Sequence, residues 1–272
     1  MNSIHKIAPG ALFFTAFLIL HGAAIAQDKN GFQWPEGKSM AVSLTWDDGR
    51  KSQVEVGVPL LDRHGIKATF YVVPSAVEEA LEGWQSAVKN GHEIGNHSLV
   101  HPCSGNFLWA RDKALEEYDL LQMKEELSKA NKKIEELLGV SPTEFAYPCG
   151  QTFVGRGKNT KSYVPVVSDQ FSSGRTWLDE TANDPAYCDL AQLTGVEMDG
   201  KDFSQIKALI ELAKKDGLWL VLAGHDIGAK RRQTTEVDML KKLLPHLRDS
   251  ANGIWVAPVG EISAYLKSKR TF

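Results

Sequence analysis

Apolar positions along this chain fall into short solid runs separated by amphipathic stretches. Met40-Ala41-Val42-Ser43-Leu44-Thr45, Lys67-Ala68-Thr69-Phe70-Tyr71-Val72-Val73 and Leu218-Trp219-Leu220-Val221-Leu222-Ala223 are apolar along most of their length rather than alternating. That is the pattern of strands buried on both faces. Shorter candidate strands lie at 92–95, 145–147, 164–167 and 253–256. Between the runs the apolar residues recur at helical spacing, predicting helices over 51–63, 77–89, 113–138, 203–215, 237–247 and 259–267. Gly65 and Gly91 stop the first two helices. Strands alternating with helices predict a parallel sheet covered by helices in one domain, with no internal repeat and no linker. The stretch 151–201, rich in Gly, Ser, Asn and Asp, carries the weakest pattern.

The first residues stand apart. Lys6 precedes the apolar run from Gly10 to Leu20, and Ala24-Ile25-Ala26 supplies small residues ahead of Gln27, so residues 1–26 read as a secretory signal peptide. Eleven apolar residues are too short to cross about 30 Å of hydrocarbon, which argues against an anchor. The expectation is export to a periplasm or the medium, with 27–272 as the catalytic domain and no membrane span in it. Over 272 residues, 43% hydrophobic and 24% charged residues with a formal net charge of −3 exclude a disordered chain and a nucleic-acid binder driven by bulk positive charge. Three cysteines cannot form a disulfide framework.

Residues able to do chemistry gather where the predicted strands end, the face on which parallel α/β folds build sites. Four such ends are Thr45-Trp46-Asp47-Asp48-Gly49, Asn96-His97-Ser98-Leu99-Val100-His101, Tyr147-Pro148-Cys149-Gly150 and Gly224-His225-Asp226. His97 and His101, four apart, would project from one face of a helical turn and with one carboxylate make a His2Asp metal set with an open position. Asp47 and Asp48 are adjacent at a strand-to-turn junction, so their side chains diverge and can serve two tasks. Asp-Asp-Gly is also a common turn sequence, and isolated histidines are often core residues.

Taken together, in order and spacing from about residue 39 to 258, these motifs resemble the polysaccharide deacetylase family, carbohydrate esterase family 4. The resemblance implies a distorted (β/α) barrel of about seven parallel strands, a divalent metal, and hydrolysis of an acetyl group from a sugar amide or ester. It implies Asp47 as general base, Asp48, His97 and His101 as metal ligands, and His225 as general acid. The backbone N–H of Cys149 matches the oxyanion position, with Tyr147 in the same motif, and Leu222 matches the apolar wall of the acetyl pocket. Two imidazoles and a carboxylate favour zinc and also suit cobalt or nickel.

Departures from the family pattern accompany it. Many members carry an arginine that orients the base where this chain has Ala146, and the family's usual aromatic is replaced by Cys149. Arg175 is the candidate to supply the missing guanidinium, with a surface arginine as the alternative. Trp46 and Trp177 are candidates to stack on a sugar ring or to pack in the core. A carboxylate supporting His225 is expected among Asp169, Asp179 and Asp226. Cys103 and Cys149 should border the site; the sequence leaves open whether they form a disulfide, which requires Cα atoms within about 7 Å, and cysteine as a further metal ligand ranks below that pairing. The glycan, whether built on N-acetylglucosamine or an O-acetylated xylan, is not encoded in a readable motif, and neither is the oligomeric state. Rival readings are an amidase for a small cyclic amide or imide, which the leader sequence disfavours, and a catalytically inactive carbohydrate binder, which retention of both acid and base disfavours.

Overall fold

The structure is a computed structural model that describes residues 31–270, so the expected signal peptide at 1–26 lies outside the described residues. In chain order its strands are β1 (Met40–Trp46), β2 (Thr69–Val72), β3 (Glu93–Asn96), β4 (Glu144–Ala146), β5 (Phe153–Val154), β6 (Lys161–Ser162), β7 (Ser173–Arg175), β8 (Val196–Glu197), β9 (Trp219–Gly224), β10 (Asp226–Gly228), β11 (Thr234–Glu236) and β12 (Ile254–Val256). The main sheet is parallel throughout. Its hydrogen-bonded path runs β7-β4-β3-β2-β1-β9-β8, and β12 lies alongside the first half of β1.

All seven residues of β1 and all six of β9 are buried, which is why these runs lack the alternation of a half-exposed strand. The sheet curls until Arg175 on β7 bridges Leu193, just ahead of β8. The result is the distorted barrel expected of the chain.

The helices are α1 (Val58–Arg63), α2 (Pro74–Glu78), α3 (Leu81–Lys89), α4 (Leu120–Leu138), α5 (Val164–Gln170), α6 (Phe203–Lys215), α7 (Val237–Arg248) and α8 (Val259–Lys269). They pack apolar stripes on the sheet, where Leu44, Trp46, Phe70, Trp84 and Leu222 form part of one continuous core.

Three expectations need correction. Residues 164–167 are the first turn of α5, not a strand: Pro165 takes a first-turn position, where its missing N–H costs nothing, and only Val167 of the run is buried. The long helix starts at Leu120 rather than 113 because Asp119 caps it, exchanging hydrogen bonds with Gln122 in a capping box. The stretch 77–89 is broken between Glu78 and Leu81 into α2 and α3.

Candidate active site

The carboxyl ends of β1, β3, β4, β7 and β9 open onto a cleft of about 730 Å³ lined by Asp47, Asp48, His97, His101, Trp177 and His225, among others. Parallel pairing sets this convergence, since every strand delivers its C-terminal loop to the same face. Asp47 follows β1, and its N–H donates to the Gly224 carbonyl at 2.9 Å. The buried Gln53 amide clamps both strand ends, donating to the carbonyls of Asp47 (2.6 Å) and His225 (2.9 Å).

His97 and His101 do not lie on a helical turn, as their spacing suggested. They sit on the irregular loop after β3, where Ser98 and His101 have φ of 65° and 55°. The loop is fixed from both sides. Asn96 Oδ1 accepts the Ser98 N–H at 2.6 Å, Ser98 Oγ accepts the His101 N–H at 2.9 Å, and Glu126 of α4 accepts the N–H groups of Leu99 and Val100 at 3.1 and 2.8 Å. The imidazoles still converge, with ring centroids 4.7 Å apart.

Asp48 Oδ1 lies 3.5 Å from His97 Nε2 and 3.4 Å from His101 Nε2. Together these three residues offer ligand atoms within 4.8 Å of one another, a set able to hold a divalent cation. His97 Nδ1 donates to the Ala146 carbonyl at 2.8 Å, which leaves Nε2 with its lone pair toward the carboxylate. Burial, assisted by the neighbouring His97, lowers the His101 pKa to about 4, so that ring is neutral and able to donate a lone pair at pH 7. Burial alone would raise the Asp48 carboxyl, but in the acid range where it titrates the protonated rings of His97, His101 and His225 hold it well below the carboxylate range.

Asp47 is nearly enclosed, and its Oδ1 is paired with the guanidinium of Arg175, which is itself wholly buried. Arg175 stands in register with Ala146 on the neighbouring strand, so the charge missing from β4 is delivered by β7. Gly195 leaves the room: a Cβ there would stand 2.6 Å from Arg175 Cδ.

Across the cleft, His225 Nδ1 lies 2.8 Å from Asp199 Oδ2, and Asp199 also accepts from Thr235 Oγ1 at 2.7 Å. Burial pulls the His225 pKa down, yet the Asp199 hydrogen bond and the carboxylates of Asp47 and Asp48 outweigh it and raise the pKa above the ordinary histidine value. A Cβ at Gly224 would come within 2.8 Å of Asp199 Oδ1, so glycine there admits the carboxylate.

Asp199 was not among the expected partners of His225. Asp169 is exposed on α5, Asp179 accepts the Glu197 N–H, and Asp226 is engaged by Arg50 and Ser52. Val196-Glu197-Met198-Asp199-Gly200 has the same form as the other functional ends, a short strand stopped by Asp and Gly, and that form was the signal within a stretch otherwise lacking pattern.

Trp177 lines the cleft with its ring 4.8 Å from that of His225, whereas Trp46 is buried in the core against Phe70. Tyr147, expected in the oxyanion motif, is buried against Phe145 and Tyr163 and spends its hydroxyl on the Ala191 carbonyl at 2.8 Å. Leu222 is likewise enclosed in the core and does not line the cleft. Both belong to apolar segments whose side chains fill the space beneath the site. Cys149 is at the cleft and is bonded to Cys103, with Cα atoms 6.0 Å apart, so neither thiol is free to bind a metal.

Five non-glycine residues among those described have positive φ: Asp48, Ser98, His101, Cys149 and Gln233. Four of them line the cleft and Ser98 lies between its two histidines. Such backbone costs on the order of 1–3 kcal/mol per residue and concentrates at sites that function requires.

A curled parallel α/β sheet with a His-His-Asp cluster facing an Asp-Arg and a His-Asp pair places the protein in the class of barrel folds with cation-competent clefts. The family model for polysaccharide deacetylases matches residues 35–163 of the chain. It is 27% identical to a peptidoglycan-N-acetylglucosamine deacetylase of Bacillus cereus over 227 residues, 82% of this chain and 88% of that protein. It spans 30% or less of the length of several other curated relatives that it matches. Among solved structures it resembles a polysaccharide deacetylase of Mycobacterium smegmatis (TM-score 0.64, 17% identity, 89% of this chain and 96% of that one). A mutant of BA3943, a CE4 family pseudoenzyme, shares the fold as well (TM-score 0.51, 21% identity, 86% and 69%).

Proposed function

We propose that this protein is a divalent-metal-dependent hydrolase that removes acetyl groups from an acetylated glycan. One observation carries the reading: an acid-base pair, Asp47 held by Arg175 and His225 held by Asp199, flanks the Asp48/His97/His101 cluster in a single cleft. The fold alone does not assign activity, since a pseudoenzyme shares it.

Asp48, His97 and His101 would hold the cation, zinc by ligand type with cobalt or nickel also suited. When bound, such a cation polarises the acetyl carbonyl and lowers the pKa of water beside it. Asp47 takes the proton from the water that attacks the carbonyl carbon, and Arg175 keeps its carboxylate aimed. His225, protonated on Nε2 with Nδ1 tied to Asp199, gives its proton to the departing amine or alkoxide as the C–N or C–O bond breaks and acetate leaves. The Cys149 backbone N–H is assigned to the developing oxyanion, and Trp177 to the face of the sugar. The leader sequence supports action on glycans outside the cytoplasm, with 27–272 as the catalytic domain.

The test is acetate release from a panel of acetylated glycans, with chelator and then with metal added back. Release that chelator abolishes and metal restores supports the reading. Release from none of them contradicts it and favours a binding role.

A further inference from the structure

We propose that the substrate is an anionic glycan, and that a lysine-lined groove beside the cleft reads a carboxylate on a sugar adjoining the one deacetylated. This rests on the deacetylase reading above. A second cavity, of about 760 Å³, shares Val73, Ser75 and His101 with the cleft and extends from it to α4.

The α4 wall presents Lys129, Lys132, Lys133 and Glu136. Their spacing of three, four and seven puts all four on one helix face. Lys113 closes the groove near His101, its ammonium donating to the Val100 carbonyl at 2.5 Å. Against four lysines the groove sets two carboxylates, Glu78 and Glu136. Glu78 is occupied by Lys133 at 2.9 Å, and Lys129 contacts Glu125 at 3.1 Å in an exposed pair. Lys113 also lies 5.8 Å from the ring of Trp109, and its charge acts on Glu126 of α4, which stands outside the groove lining. In a chain whose formal net charge is −3, a local surplus of ammonium groups opening into the candidate active site favours an anionic ligand.

The passage between cleft and groove is aromatic. Trp109, 54% exposed, has its ring 5.8 Å from that of His101, and Phe107, 42% exposed, stands 5.5 Å from Trp109. Exposed aromatics clustered at the lip of a cleft mark a binding surface, and their faces suit the C–H faces of a pyranose. The platform is anchored rather than loose: Glu116 accepts from Ser104 Oγ (2.6 Å) and from the Gly105 N–H (2.9 Å), and the Cys103–Cys149 bond ties its base to the opposite loop. A polymer with its acetylated sugar between Asp47 and His225 lays the next sugar on Trp109 and points that sugar's carboxylate at Lys113, Lys129 and Lys132. A lactyl ether acid and a uronic acid both supply that chemistry, whereas a neutral N-acetylglucosamine polymer leaves the groove unused.

The experiment compares acetylated oligosaccharides in matched pairs, one pair built with a lactyl-ether sugar and one with a uronic acid, each beside its carboxyl-reduced counterpart. For one pair, the charged member should be deacetylated with kcat/KM about tenfold higher at low salt, and the pair that responds names the source. The advantage should collapse near 0.5 M salt, where screening acts within about 4 Å. K129E/K132E should abolish the advantage while leaving the neutral member's rate unchanged, and K129R/K132R should retain it. Fluorescence-polarisation binding of the labelled oligomers runs in parallel. Acetate release with no charge preference in either rate or binding overturns the groove and leaves the deacetylase reading in place. No release from any oligomer, with charged-oligomer binding still lost in K129E/K132E, overturns the deacetylase reading and leaves the groove. No release and no charge-dependent binding overturn both.

Discussion

The guanidinium of Arg175 pairs with the carboxylate of Asp47 from β7, in register beside Ala146 of β4. Both groups are buried, so removing one leaves the other uncompensated. Arg175→Ala should destabilise the fold by about 3 kcal/mol and lower kcat by roughly 100-fold with a smaller effect on KM. Lysine, with one point charge on a flexible stem, should rescue poorly. Because the two positions are neighbours, Ala146→Arg placed on Arg175→Ala should recover part of the activity, and steady-state kinetics on the two variants checks this.

The pH profile follows from two histidines. The raised pKa of His225 keeps its proton above the usual histidine range, so activity requiring the imidazolium is present below that value and lost as pH rises through it. Asp199→Asn removes the main contact that raises the pKa, and the alkaline limb should move to lower pH. The stability that the His225–Asp199 pair contributes has the same sign: fully present at low pH, lost as pH rises through the folded pKa. On the acid side, His101 becomes protonated near pH 4, so cation binding that uses its lone pair should be lost as pH falls to that value. A pH-rate series for both proteins measures each limb.

The Cys103–Cys149 bond spans a sequence separation of 46 and joins the His101 loop to the Cys149 loop. Thiol titration of the denatured, unreduced protein should give one thiol per chain, that of Cys188, and three would contradict the pairing. Cys103→Ser with Cys149→Ser should cost about 2–4 kcal/mol of stability and weaken cation affinity more than it lowers kcat at saturating metal.

At the opposite end of the barrel, Glu93 and Glu144 are packed together beneath the start of α8. The Gly260 N–H donates to Glu93 at 3.0 Å, and Ser173 donates to Glu144. Burial, with Glu93 nearby, raises the Glu144 pKa to about 8. A raised carboxyl value stabilises the fold while protonated, so stability should fall as pH rises from about 4.5 towards 8. Glu144→Gln keeps the shape without the titration and should flatten that slope in denaturant midpoints measured across the range.

The order of strands and helices was legible in the sequence because both-face burial leaves solid apolar runs, and the four motif ends were legible because Asp, His and Gly interrupt those runs abruptly. What escaped was set by tertiary contact. Asp199 follows a strand of two residues, too short to register as periodicity, and meets His225 only because β8 and β9 pair. Tyr147 sits in a functional motif yet serves the core, since its ring continues the packing of Phe145. The Val164–Val167 run has strand composition, and Pro165 at the start of a helix decided otherwise. Arg50, which bridges Asp48 (3.0 Å) and Asp226 (2.7 Å), lies only one residue past the Asp-Asp-Gly turn, and nothing in its spacing distinguished it.

Cation binding and proton transfer fall to different residues of the cleft, and metal content and acetate release determined side by side for the wild type, Asp47→Asn and His97→Ala test that division most directly. The account predicts that Asp47→Asn retains about one equivalent of metal while turnover falls by at least about 100-fold, and that His97→Ala loses both. Near-normal acetate release by Asp47→Asn, or undiminished metal binding by His97→Ala, would contradict it.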